Sequence, residues 1–460
     1  MTRAGIAPPQ RLGAPRPARD AAGAIAAGAA LMVTVAVATL KGGGFDASSQ
    51  STFVALAGLA LLAAGALDIR AASSAAHSEL ALALLALAAL SVTSATWTVA
   101  VPATALRSGL VIGGYAAVFV CAATLARRTG PLPFAAVLAT LALVEAVLGL
   151  RAVAVHALPE AERIDGAWRP GGTFQYPPAL AILQVGALPA CAALLARRSA
   201  LACALGAATA ALAGAVLGLS GSRLAPALAM VVLIALIVRP PAARTGRAAP
   251  LAVAVLAMSG ALLAPAILGG RADPGLSERA PGIAQRASGL SQRTLHHAQR
   301  GHGLPWRVAG LKQRASGLAR GPGSGSPRRG SDFLHGRGRE WRAALETWWD
   351  HPLLGAGAGA YYTASLPHQG GAPVAFAHDL PLELCAELGL LGLPLAFVLY
   401  ASSARAIVRA AGTPALWLLA PMVLAFLASN LLDWTWHLAG LGALWAASAG
   451  AMQGAGEHRA

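Results

Sequence analysis

Apolar runs of about 20 residues recur along this chain, separated by short polar links, and no other feature restricts its fold as strongly. A run of that length crosses the hydrocarbon core of a bilayer as a helix, which pairs its own backbone donors and acceptors internally where no water can. The runs fall at about 21–40, 52–68, 79–97, 105–126, 131–152, 177–196, 200–219, 223–239 and 249–269, then at 381–402, 414–431 and 435–453. The expected fold class is an all-α polytopic membrane protein of about 12 transmembrane helices, with a large loop between helices 9 and 10. Composition agrees: 12% of the residues are charged, against about 25% in soluble domains. The first run is too long for a signal-peptide core and reads as helix 1.

Arginine placement sets the expected orientation. With the N-terminus inside, the cytoplasmic ends hold fifteen basic residues, among them Arg70, Arg127, Arg128, Arg197, Arg198, Arg405 and Arg409. The short outer loops hold six: Lys41, Arg107, Arg151, Arg163, Arg169 and Arg223. That bias makes both termini cytoplasmic, with 1–20 a Pro/Arg-rich disordered tail and 454–460 a second tail, and it puts 270–380 outside. The formal charge of +16 does not mark a soluble nucleic-acid binder, because the arginines lie between spans, and no nucleic-acid partner is expected. The four cysteines (Cys121, Cys191, Cys203, Cys385) lie within apolar segments and read as small core residues.

The outer loop divides in two. Residues 270–335 are rich in Gly, Ser, Arg and Pro and repeat QRASGL at Gln285–Leu290 and Gln313–Leu318, which predicts a disordered basic segment. It is either a solvated spacer or an attractor of anionic headgroups or acidic glycan. His296, His297 and His302 lie there without the cysteines or spacing of a metal site. Residues 336–380 are patterned and predict a folded piece. Trp341, Ala344, Leu345, Trp348 and Trp349 recur at helical spacing, and the tryptophans suit a membrane interface or the helix bundle. A turn, HPLLGAGAG (His351–Gly359), follows. His378 then precedes an apolar helix whose start Asp379 can cap and Pro381 can occupy. Glu383 and Glu387 stand one turn apart on that helix, placed either to pair with an arginine or to touch a substrate.

Topology brings other polar groups to the same face: GGTFQYPPALA (Gly171–Ala181), LSGSRLAPALA (Leu219–Ala229) with Arg223, and Asp433, Trp434 and His437. Charged groups at membrane depth are costly and mark candidate sites. Arg223, Arg337, Arg339 and His378 are the leading candidates, with Asp379 and Glu383 in support. Arginine forks match phosphate oxygens two at a time and can hold a diphosphate leaving group. A histidine can take a proton from an attacking hydroxyl near neutral pH. No aspartate pair in the outer loops suits a metal, so none is expected, nor any cofactor. A transporter is the competing class, but the spans show no internal repeat and the polar candidates gather on one face.

The motifs, taken together, resemble the O-antigen ligase/polymerase family of bacterial membrane glycosyltransferases. GTFQYPP, GSR, Arg337 to Trp341, PLLGAG, His378-Asp379 and ELGLLG follow the family's order from about Gly171 to Leu395. The turn has Gln175-Tyr176-Pro177-Pro178 where the family favours Asn-Pro-Asn, and Asp379 stands for its usual Asn. The resemblance implies a multi-pass protein of the bacterial inner membrane, active on the periplasmic side. It implies metal-independent transfer of a saccharide from an undecaprenyl-diphosphate-linked donor, as in lipopolysaccharide or other surface-polysaccharide biosynthesis. The acceptor would be lipid A core, a growing glycan or a protein. By motif match, Arg223 and Arg337 would meet the diphosphate, Arg339 could take the same role as Arg337, and His378 would activate the acceptor.

Overall fold

The computed structural model describes residues 17–457 except 165, 239–246, 269–336 and 371–372. The basic segment 270–335, with its three histidines, therefore lies outside the described residues. The described chain is mainly helical: α1 (Pro17–Leu40), α2 (Ala47–Leu67), α3 (Ile69–Ala76), α4 (Glu79–Thr93), α5 (Pro102–Thr129), α6 (Leu132–Val155), α7 (Pro177–Leu195), α8 (Ala200–Leu219), α9 (Leu224–Val238) and α10 (Ala248–Leu268). After the undescribed segment come α11 (Arg337–Asp350), α12 (Tyr361–Ser365), α13 (Leu380–Leu388), α14 (Gly392–Arg409), α15 (Pro414–Ser429) and α16 (Ala439–Glu457). A two-stranded antiparallel hairpin, β1 (Ala161–Ile164) and β2 (Ala167–Pro170), separates α6 from α7.

Among the described residues, nine helical segments are long and apolar enough to cross a membrane, and α9 and α15 are shorter apolar helices. The chain is a polytopic membrane protein. Each apolar run of the sequence coincides with a helix, but three boundaries move for physical reasons. The second helix starts five residues early because Asp46 accepts from the backbone N–H groups of Ser48 and Ser49 and caps it at Ala47. The run from 381 is broken at Gly389, whose positive φ of 62° ends α13 before α14 begins. The last run starts at Ala439, after a 3-10 turn at Thr435–His437.

Small residues let the helices approach closely. A Cβ on Gly450 would lie 2.2 Å from the Phe119 carbonyl, so α16 runs backbone to backbone along α5. Gly214 meets Ala257 and Gly260 meets Ala211 in the same way, locking α8 to α10. Tyr115, Phe426, Trp436 and Trp445 fill the space beside α5 and α16, with ring centroids 5.3–6.4 Å apart in the pairs they form. At one end of the bundle, Arg127 pairs with Glu457, Arg128 with Asp68, and Arg405 and Arg409 with Glu79.

The other end carries the candidate site residues, and hydrogen bonds between distant loops bring them together. Thr173 donates through its hydroxyl to the Thr39 carbonyl, Ala358 N–H donates to Ser94 Oγ, and Leu380 N–H donates to the Asn430 carbonyl at 2.7 Å. The short links reverse the helices in turn, so the α8–α9 turn holding Arg223 reaches this end as well. On α11 the tryptophans Trp341 and Trp348 are half-buried. Ala343, Ala344 and Thr347 are buried, whereas Leu345 and Trp349 are exposed. Ala344 packs with Tyr361, Ala377 and Ala386.

Candidate functional site

The turn after α11 fixes the frame. Ala356 N–H and Gly357 N–H donate to the Ala386 and Glu387 carbonyls, and Leu390 N–H donates to the Leu353 carbonyl. PLLGAGAG is thereby hooked over the C-terminal end of α13. Gly355, at φ 71°, lies against the Glu387 backbone, where a Cβ would come within 2.3 Å of its carbonyl. Only glycine combines that conformation with that approach.

His378 is 5% exposed and adopts φ 56°, the left-handed region that non-glycine residues rarely enter. Its neighbours hold it there. Ala377 N–H donates to Glu383 Oε2 at 2.8 Å, and Asp379, in extended backbone, accepts from Leu382 N–H at 2.9 Å and caps α13. The imidazole Nδ1 lies 3.0 Å from the Phe376 carbonyl and 3.1 Å from Glu340 Oε2. The same Glu340 oxygen accepts from Arg337 Nη1 at 2.9 Å. Arg337, Glu340 and His378 thus form a continuous polar line, its first two members three residues apart on one face of α11. Burial alone would raise the Glu340 pKa, but the His378 contact and the Arg337 charge outweigh it and hold the carboxyl below its usual value.

A second line runs beside the first. His437 Nε2 lies 2.5 Å from Glu383 Oε1, and its ring stacks on Phe376 at 4.2 Å. Burial disfavours the His437 cation, yet the neighbouring Glu383 carboxylate prevails and moves its pKa up. Phe376 stacks in turn on Trp434, which also meets Phe45 and Tyr176. Tyr176 donates its hydroxyl to Asp433 Oδ1 at 2.6 Å. Burial first, and Asp433 second, raise its pKa well above that of a free phenol, while the charge of Arg337 acts on it in the opposite sense. The YPP turn and the Asp433-Trp434 segment therefore face the start of α11. Behind His437, a cavity of about 50 Å³ is lined by Gln50, Ser91, Ser108, Glu383, Glu387 and His437.

The candidates of the sequence separate accordingly. Arg337 and His378 come together through Glu340. Arg339 is exposed on α11 and stands apart from that line. Arg223 is exposed at the start of α9, and the guanidinium of Arg169 from β2 lies over Gly221 just before it, where a Cβ would sit 2.1 Å from Nη1. Asp379 is a helix cap, its pKa raised by burial. Among the described residues, the partners of Glu383 and Glu387 are not arginines: Glu383 serves His437 and Ala377 N–H, and Glu387 accepts from Tyr361 N–H at 3.0 Å. Among the described residues, no group of three or more His, Cys, Asp or Glu is arranged to hold a metal ion.

Sequence reasoning missed Glu340, whose signal was its place one helical turn beyond Arg337. It missed Arg169, which had counted only as outer-loop charge. It also missed Glu145, an acid inside an apolar helix, which is fully buried and anchors the GGTFQY turn through Thr173 N–H at 2.8 Å and the Thr173 hydroxyl.

A family model described as O-Antigen ligase matches residues 208–397, a stretch that includes Arg223, Arg337, Glu340, His378 and the PLLGAGAG turn. The match supports the O-antigen ligase family for this chain. No curated protein matches the chain significantly.

Proposed function

With an O-antigen ligase-type membrane glycosyltransferase as the premise, we propose that the chain transfers a saccharide from an undecaprenyl-diphosphate-linked donor to an acceptor hydroxyl at the periplasmic face, without a metal and with inversion, as a ligase of O-antigen or a related surface polysaccharide. The observation that carries this reading is the Arg337–Glu340–His378 line. Two acceptor oxygens face His378 Nδ1, so the proton of the neutral ring belongs there and Nε2 keeps its lone pair for the acceptor.

In the reaction, His378 Nε2 takes the hydroxyl proton as the acceptor oxygen attacks the anomeric carbon from the face opposite the diphosphate. The bond from that carbon to the diphosphate oxygen breaks, and negative charge grows on the leaving group. Arg337, Arg223 and Arg169 supply guanidinium groups at this end of the bundle to meet that charge, most strongly in the transition state. Glu340 engages one terminal nitrogen of Arg337 and leaves its others for phosphate. Asp379 and Glu383 hold the backbone on either side of the base.

The test is donor binding and single-turnover transfer measured on the same purified variants, with lipid A core, glycan chain and protein as acceptors. His378→Ala should insert normally, bind donor and lose about 100- to 10,000-fold in transfer. Arg223→Lys should also be impaired, because a point charge does not reproduce the guanidinium fork. Near-normal transfer by His378→Ala removes it as the base. Preference for glycan over lipid A core would replace ligase with polymerase, and preference for protein would make the chain a protein O-glycosyltransferase.

A further inference from the structure

Resting on the reading of His378 as the base, we infer that Glu340 is a positioning residue that fixes which imidazole nitrogen meets the acceptor and ties the base to the arginine that meets the donor. The Phe376 carbonyl alone could fix the tautomer, but it carries no full charge. Glu340 adds a carboxylate 3.1 Å from Nδ1, already held by Arg337 at 2.9 Å. A carboxylate in that bond only accepts, so it demands the proton at Nδ1, and it faces positive charge when Nε2 takes a second proton. The interaction is therefore stronger in the transition state than before it, which is the condition for a group to raise turnover without tightening binding.

The scaffold holds Glu340 for this purpose. Its backbone carbonyl accepts from the Tyr361 hydroxyl at 3.1 Å, and Tyr361 N–H donates to Glu387 of α13. The helix bearing Glu340 and the helix that follows His378 are thus tied through one tyrosine. The i, i+3 spacing to Arg337 sets the carboxylate between the two cations of the line, the permanent one and the one formed on proton transfer. Arg337 alone beside a protonated His378 would be a repulsive pair; Glu340 between them removes that repulsion.

Glu340→Gln keeps an oxygen for both partners and removes the charge, whereas Glu340→Ala removes both. In the purified full chain, kcat for transfer should fall about 10- to 100-fold in each, the worth of a hydrogen bond to a charged group. KM for both substrates, the donor Kd and the thermal midpoint should stay near those of the unsubstituted protein. Unchanged kcat in Glu340→Gln overturns the inference. So does a donor Kd weakened as much as kcat falls, because Glu340 would then act through Arg337 on the donor. If Glu340→Ala does not insert, the isosteric Glu340→Gln decides alone. His378→Ala is measured in parallel: near-normal transfer there refutes the base itself, whereas an inactive His378→Ala beside a fully active Glu340→Gln refutes only the role of Glu340.

Discussion

Replacing Gly355 with alanine tests whether the PLLGAGAG turn is what holds His378 in place. The residue sits at φ 71°, and the added Cβ would come within 2.3 Å of the carbonyl carbon and oxygen of Glu387 and 2.4 Å of Leu388 N. The left-handed conformation costs an alanine about 1–2 kcal/mol, and forcing a methyl into packed backbone costs about 1–3 kcal/mol more. The total, roughly 2–5 kcal/mol, shifts the balance about 30- to 4,000-fold against the docked turn. Undocking releases the Ala356 and Gly357 hydrogen bonds to α13 and loosens the Tyr361 link between Glu387 and Glu340. Transfer should therefore fall by at least about tenfold, which is roughly 1.4 kcal/mol of transition-state stabilisation. Limited proteolysis near residue 355 should accelerate, while the membrane helices stay folded by circular dichroism. Gly58→Ala is the control: no atom lies within 4 Å of its added Cβ, and helix propensity favours alanine by about 1 kcal/mol. A Gly355→Ala protein with ordinary transfer and proteolysis would refute the argument that this turn positions the site.

Two further outcomes are expected. With the native cysteines replaced, an impermeant thiol reagent on intact cells should label a cysteine at Ser331 and spare one at Ala242, and the reverse pattern would invert the proposed orientation. Transfer by the purified, delipidated protein should survive EDTA, since arginines are the charge stabilisers proposed here; a requirement for an added divalent ion would overturn that part of the mechanism.

The fold was legible because the bilayer simplifies the problem. A run of apolar residues has few structural options there, and each of the twelve runs is helical. The errors lie where side-chain chemistry overrode hydropathy: the Asp46 cap, the left-handed Gly389, and the turn at Thr435–His437. The tryptophans of α11 show a different limit. Helical spacing identifies a common face but not what that face meets, and the protein takes the alanine face while Trp349 stays 77% exposed.

The candidate residues could be named from the sequence one at a time but not as a network. His378 and Arg337 stood out through their places in a motif order that resembles the O-antigen ligase/polymerase family, one before the ELGLLG helix and one four residues ahead of Trp341. Their connection ran through Glu340, which the sequence displays only as one more charge in a basic stretch. Two charged residues three apart on a helix are ordinary surface chemistry unless a third group, 38 residues later in the chain, closes on the same oxygen. That closure depends on the left-handed backbone of His378, which no residue preference predicts. Arg169 shows the same limit from the other direction. A hairpin arginine becomes a candidate only because Gly221, two residues before Arg223, leaves room for its guanidinium. Sequence order had separated Arg169 and Arg223 into different loops, and the fold brings them to one turn. If the donor diphosphate is met there, its binding should depend on both residues, and a methyl at Gly221 should weaken it without touching either charge.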